Sequence, residues 1–129
     1  MLAVAGYHNI QSDLIPRLAT GFCAGMARTG RTCGAVSGGI MAIGLSLGRS
    51  SPDESNDPCY PAVQAFLNGF ITQFGSLSCQ DLTGVHLGTP EGQAAFWASD
   101  QITRCTDYVT HATRLVVEIV DQYLPRSSP

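Results

Sequence analysis

The chain has 129 residues, 44% of them apolar and only 13% charged, with a formal charge of −3. That length fits one domain, residues 1–129, able to bury about two-thirds of the surface its unfolded form exposes, so no disulfide is needed merely for folding. All seven basic residues are arginine and none are clustered, which excludes the concentrated positive footprint that nucleic acid demands.

Met1 to Gly6 is apolar but has no basic flank and stops at Tyr7-His8-Asn9, too short for an export signal. Residues 1–11 are therefore expected to be irregular. Ser12 is a plausible N-cap for a helix of about four turns on Leu14, Ile15, Leu18, Ala19, Phe22, Cys23 and Met26, with Pro16 early enough to be tolerated. After a turn at Thr29–Thr32, Thr32 can cap a second helix carrying Val36, Ile40, Met41, Ile43, Leu45 and Leu47. Its glycines cost roughly 1 kcal/mol each relative to alanine, so packing must compensate. The Gly34-xxx-Gly38 face predicts a closely packed partner helix. The longest apolar run, Ala35 to Leu47, falls short of the ~20 residues of a membrane span. A soluble, cytoplasmic protein is expected.

Ser50 to Pro61 holds three prolines, three acids and Cys59 and reads as a loop. Val63, Phe66, Leu67, Phe70, Ile71 and Phe74 then form the cleanest amphipathic stripe, ended by Gly75. Ser78-Cys79-Gln80-Asp81 has the form of a capping box, and Thr89-Pro90-Glu91 is another helix start. The last long helix carries Tyr108, Val109, Ala112, Leu115, Val116, Ile119, Val120 and Tyr123 and stops before Pro125, leaving a tail at 125–129. No stretch alternates with period two. The fold class is all-α: a compact bundle of about five helices with the glycine-rich second helix at its centre. The low charge, the phenylalanine stripe and the open glycine face point to a homodimer.

Five cysteines without an export signal argue for reduced thiols, metal binding or regulated redox chemistry, not a secreted disulfide scaffold. Cys33, Cys79 and Cys105 each fall near the expected start of a helix. Unpaired amides and the dipole there favour a thiolate, so lowered thiol pKa values and a shared pocket are expected. The plainer reading is that small polarizable side chains fill gaps in a tight bundle. Cys23 lies on an apolar stripe and reads as core, whereas Cys59 reads as exposed.

Gaps of 10, 26, 20 and 26 residues between successive cysteines match no zinc ribbon or finger. A metal ion or iron-sulfur cluster held by Cys33, Cys79, Cys105 and Cys23 from separate helices remains an alternative to a cofactor-free site. His8, His86 and His111 lack a spaced partner, and Ser37 lacks the G-x-S-x-G elbow of a hydrolase.

Leu18-Ala19-Thr20-Gly21-Phe22, then Cys33-Gly34-Ala35-Val36-Ser37-Gly38-Gly39 running on to Leu45, with Gly48-Arg49, resembles the C_GCAxxG_C_C family of redox-active proteins. Phe74-Gly75-Ser76 ahead of Cys79, Leu82 after it, and Cys105 extend the resemblance over about residues 12–120. It implies a small helical protein with four hallmark cysteines and a redox role, often tied to transport or respiration in bacteria and archaea. Three hallmarks map to Cys33, Cys79 and Cys105. The fourth, N-terminal one has no counterpart in residues 1–11, and Cys23 stands where the family usually shows glycine.

The expected function is thiol/disulfide exchange or electron transfer through Cys33 with Cys79 or Cys105, alongside a redox partner protein. A metal-binding module and a structural protein with packing cysteines are the alternatives. Neither a substrate pocket nor a cofactor motif is legible in the sequence, so it assigns no catalytic turnover.

Overall fold

The computed structural model describes residues 1–124, so the expected tail at 125–129 lies outside the described residues. The helices are α1 (Leu2–Tyr7), α2 (Leu14–Ala19), α3 (Cys23–Arg28), α4 (Gly34–Leu47), α5 (Cys59–Phe74), α6 (Cys79–Thr83), α7 (Pro90–Ala98) and α8 (Gln101–Tyr123). Among the described residues there is no strand, only one isolated bridge. The all-α class is as the periodicity predicts.

The core is a three-helix arrangement in which α4, α5 and α8 each pack on the other two. The apolar stripe of α5 supplies Phe66 and Phe70, both fully buried, and α8 supplies Tyr108, Ala112, Val116, Ile119 and Val120. Gly39 of α4 lets Phe66 approach: a Cβ there would stand within 2.7 Å of the ring. The other half of the glycine face does something different from what its spacing predicts. Gly34 faces the backbone of Phe22 and Cys23, and Gly38 meets only Met1, so no helix packs along Gly34 and Gly38.

Helix ends follow their local chemistry where a cap is present. Gly75 closes α5 in the left-handed conformation at φ 85°. The side chains of Ser78 and Thr89 accept amide hydrogens from Asp81 and Gly92 at the starts of α6 and α7.

Three expectations need correction. Residues 2–7 are helical, not irregular, because Val4 and Ala5 bury against the bundle. The loop before α5 ends at Pro58, since Pro61 falls in the first turn of α5, where its missing N–H costs nothing. The four-turn helix over residues 12–28 is broken. After α2 come a 3-10 turn at Thr20–Phe22 and then α3, which is wound left-handed: Ala24, Gly25, Met26, Ala27 and Arg28 have φ of 52°, 65°, 58°, 56° and 68°.

A left-handed turn costs roughly 1–2 kcal/mol per non-glycine residue. Tertiary contact must therefore hold it. Gly25 is the buried member, lying so close to Cys79 that a Cβ would collide with the Cys79 Cβ and stand 2.9 Å from its sulfur.

Candidate functional site

The starts of α4 and α6 are tied together by backbone. Thr32 and Ser78 form the isolated antiparallel bridge; Cys33 N–H donates to Leu77 O at 2.8 Å, and Cys79 N–H donates to Arg31 O at 2.7 Å. The Ser78 hydroxyl donates to Gly30 O at 3.2 Å while accepting from the Asp81 amide at 3.3 Å. The left-handed turn joins the same seam, with Arg31 N–H donating to Gly25 O at 3.1 Å. Two cysteines far apart in sequence thus flank one bridge, diagonally, at two helix starts.

Cys33 is itself the N-cap of α4, with extended backbone at φ −55°, ψ 136°, in place of the expected Thr32. Its carbonyl accepts from Val36 N–H at 2.9 Å and Ser37 N–H at 3.1 Å. Its sulfur lies near the amides of Ala35 and Val36, although no regular cap hydrogen bond closes. Cys79 opens α6 and is 7% exposed. Thr83 donates its hydroxyl to Cys79 O at 2.7 Å. Cys105 does not start a helix, because α8 begins at Gln101; it sits in the second turn, beyond the reach of the dipole.

All three thiols have raised pKa values, the reverse of the expected thiolates. Burial pushes Cys33 up, and the Ala35 and Val36 amides offset only part of that cost. Cys79 is raised by burial first and then by the charge of Cys33, with Thr83 opposing. Cys105 is raised by burial and then by the charges of Cys33 and Cys79. The repulsion is mutual, so a charge on any one of the three sulfurs raises the cost of ionising the others.

These sulfurs share a cavity of about 450 Å³. Its wall on α4 is small, from Gly34 to Ala42; α7 contributes Phe96 and Trp97, and α8 contributes Val109, Ala112 and Val116. Cys23 lies on this cavity and on a neighbouring one of about 490 Å³ between α1, α2 and α4. It is exposed, not core as its stripe predicts, because the chain reverses hand at this residue. Cys59 lies outside the cavity, half-buried against the core at the start of α5. None of the five cysteines is disulfide-bonded.

No histidine lines the cavity. His86 Nδ1 accepts from Gly88 N–H at 2.9 Å, and His111 packs edge-on against Phe74. Among the described residues, no group of three or more His, Cys, Asp or Glu side chains is spaced to hold a metal ion, so the ligand set Cys33, Cys79, Cys105 and Cys23 does not fit one as placed. Gly25, Thr83, Arg28 and Trp97 belong to the site without having been singled out in the sequence. Only Gly25, a glycine two residues after a cysteine, carried a local signal.

The fold and the site define a small helical protein whose thiols, drawn from three separate helices, meet on one apolar cavity. A family model described as "Putative redox-active protein (C_GCAxxG_C_C)" matches residues 1–119, and the chain belongs to that family. No curated protein and no solved structure matches it.

Proposed function

We propose that the chain is a thiol–disulfide redox protein in which Cys33 is the nucleophile, Cys79 the resolving thiol, and Cys105 a third sulfur able to take over from Cys79. The observation that carries this reading is the Thr32–Ser78 bridge, which ties together the two helix starts that bear Cys33 and Cys79, both on the lining of one cavity. Cys33 is the only one of the three with two amides beside its sulfur, which favours it as the attacking group.

With a disulfide as oxidant, the Cys33 thiolate attacks one sulfur, forming a mixed disulfide and releasing one thiolate. Cys79, giving up its proton, then attacks the Cys33 sulfur, forming the Cys33–Cys79 disulfide and releasing the second thiolate. Two thiols of the protein are oxidised and one external disulfide is reduced. In the reverse direction a reducing thiol or a redox partner protein restores the pair, which suits a reducing compartment such as the cytoplasm.

Peptide mapping after mild oxidation with diamide tests the assignment. The expected result is a Cys33–Cys79 disulfide in the native chain, and in Cys79→Ser a Cys33–Cys105 bond or, with glutathione added, a mixed disulfide between Cys33 and glutathione. Five equally free thiols after oxidation would overturn it.

A further inference from the structure

The cavity beside the thiols has a chemistry of its own. Its volume of about 450 Å³ falls in the range of small-molecule sites. The polar side chains on its wall are already engaged inside the protein: Thr83 with Cys79 O, Thr113 with Val109 O, and Gln93 Nε2 with Leu87 O at 2.9 Å. What remains open to a visitor is mostly carbon and sulfur, with two cations, the α-ammonium of Met1 and the guanidinium of Arg28, and the amide oxygen of Gln93. Arg28 is the one charged side chain on the lining, and its guanidinium makes no hydrogen bond or ion pair among the described residues.

The mouth is apolar as well. Trp97 is 71% exposed and Val109 53% exposed, both on this lining. A large aromatic left in water beside a cavity is a stacking surface without its partner. The same cavity is lined by Gly34, Ala35 and Gly38, whose lack of bulk leaves room for a flat body, and Trp97 meets only Phe96, edge-on at 5.2 Å. The thiols sit on the concave wall, with Cys79 almost fully buried. A disulfide on the broad face of another protein would have to reach into this recess, whereas a small molecule simply enters it.

Resting on the thiol–disulfide reading above, we infer that the co-reactant of this site is a small organic disulfide with a planar apolar body and an anionic group, which binds in the cavity before reacting at Cys33. The ring lies between Trp97 and the glycine face, and the anion meets Arg28. The electron balance is that already given: the disulfide leaves as two thiolates, and Cys33 and Cys79 are left joined.

The test uses the full chain in a Cys23→Ser, Cys59→Ser background, so that only the cavity thiols report. The reagents are dithiobis(nitrobenzoate), an aromatic disulfide with carboxylates; dithiodipyridine, an uncharged aromatic one; and oxidised glutathione, a larger, polar one that is also anionic. The expected result is a rate that saturates with the aromatic reagent, two nitrothiobenzoates released per protein, and quenching of Trp97, the only tryptophan.

Gly38→Leu fills the cavity from a position where a Cβ meets nothing closer than Met1 at 3.6 Å. It is expected to weaken the aromatic reagent about tenfold, the equivalent of losing roughly 60 Å² of apolar contact, and to weaken oxidised glutathione less. Arg28→Gln is expected to weaken dithiobis(nitrobenzoate) more than the uncharged dithiodipyridine.

Linear, non-saturating kinetics with the aromatic reagent, at a rate relative to oxidised glutathione no greater than that of a free thiol in water, would overturn the inference, and that reading does not depend on whether Gly38→Leu folds. Diamide separates the two failures. A Cys33–Cys79 bond formed by diamide with no preference beyond that of a free thiol sinks the ligand class alone, whereas no bond with diamide sinks the redox reading itself.

Discussion

Gly25→Ala is the most demanding test of how the left-handed turn serves the thiols. At φ 65° an alanine pays the left-handed penalty of roughly 1–2 kcal/mol. Its Cβ also collides with the Cβ of Cys79, which belongs to a helix held at its start by the Thr32–Ser78 bridge and cannot retreat freely. Overpacking of this kind typically costs about 1–3 kcal/mol. The combined loss of about 2–5 kcal/mol is a large share of the roughly 5–15 kcal/mol that holds a domain together. For a chain of this size it corresponds to a fall in Tm of about 10–20 °C. Thermal unfolding of the reduced protein, followed by circular dichroism, measures it. The double variant Gly25→Ala, Cys79→Gly separates the two causes, since it relieves the collision and keeps the backbone penalty; it should recover roughly half of the loss. A single variant within about 3 °C of the parent would refute the contact. Because the displaced group is the resolving thiol, the same substitution should also slow Cys33–Cys79 disulfide formation, which mere loss of stability at a remote site would not do.

Ala27→Gly should act in the opposite sense: it relieves a non-glycine residue at φ 56° and is expected to stabilise by about 0.5–1 kcal/mol in urea unfolding, whereas destabilisation would mean the turn is right-handed. Ser78→Ala removes both the cap of α6 and the bond to Gly30 O, an expected loss of about 1–2 kcal/mol with slower Cys33–Cys79 pairing. Cys33, Cys79 and Cys105 all titrate above the ordinary thiol value of 9.0 when folded. The folded state then holds protons that the unfolded state has lost, so their contribution is fully present below the unfolded pKa and disappears as pH rises past it. The urea midpoint of the reduced protein should therefore drop between about pH 8 and pH 10, and more steeply than in the variant with all three replaced by alanine; equal slopes would contradict the burial of the thiols.

The elements that were legible in the sequence are those whose signals are local. Phe66 and Phe70 sit four apart with Gly75 beyond them, and Ser78 and Thr89 carry their own cap oxygens; each of these needs no distant partner to act. The left-handed turn had no such signal. Ala24, Met26 and Ala27 all favour a right-handed helix, and only the approach of Gly25 to Cys79, more than fifty residues away, selects the other hand. Cys105 is not at a helix start, because only Ser99 and Asp100 separate α7 from α8, which begins at Gln101. The sign of the thiol shifts was illegible for a similar reason. A helix start is written in the sequence, but the burial that outweighs it is assembled from α4, α6, α7 and α8 together.

The helix start at Cys33 nevertheless keeps a role, different from lowering the pKa outright. Three thiols at least partly buried cannot all ionise readily in one apolar cavity, because each charge formed raises the cost of the next. On the thiol–disulfide reading proposed above, the amides of Ala35 and Val36 would favour Cys33 as the sulfur that attacks. Oxidation would then remove the difficulty, since a disulfide is neutral and is at ease where a thiolate is not. On that reading burial slows the first step, by raising the cost of the Cys33 thiolate, and favours the last, by expelling charge from the cavity as product. The same reading couples the proposed ligand to the chemistry: a molecule that fills the space beside Trp97 would displace water from the cavity and bring its sulfur to Cys33.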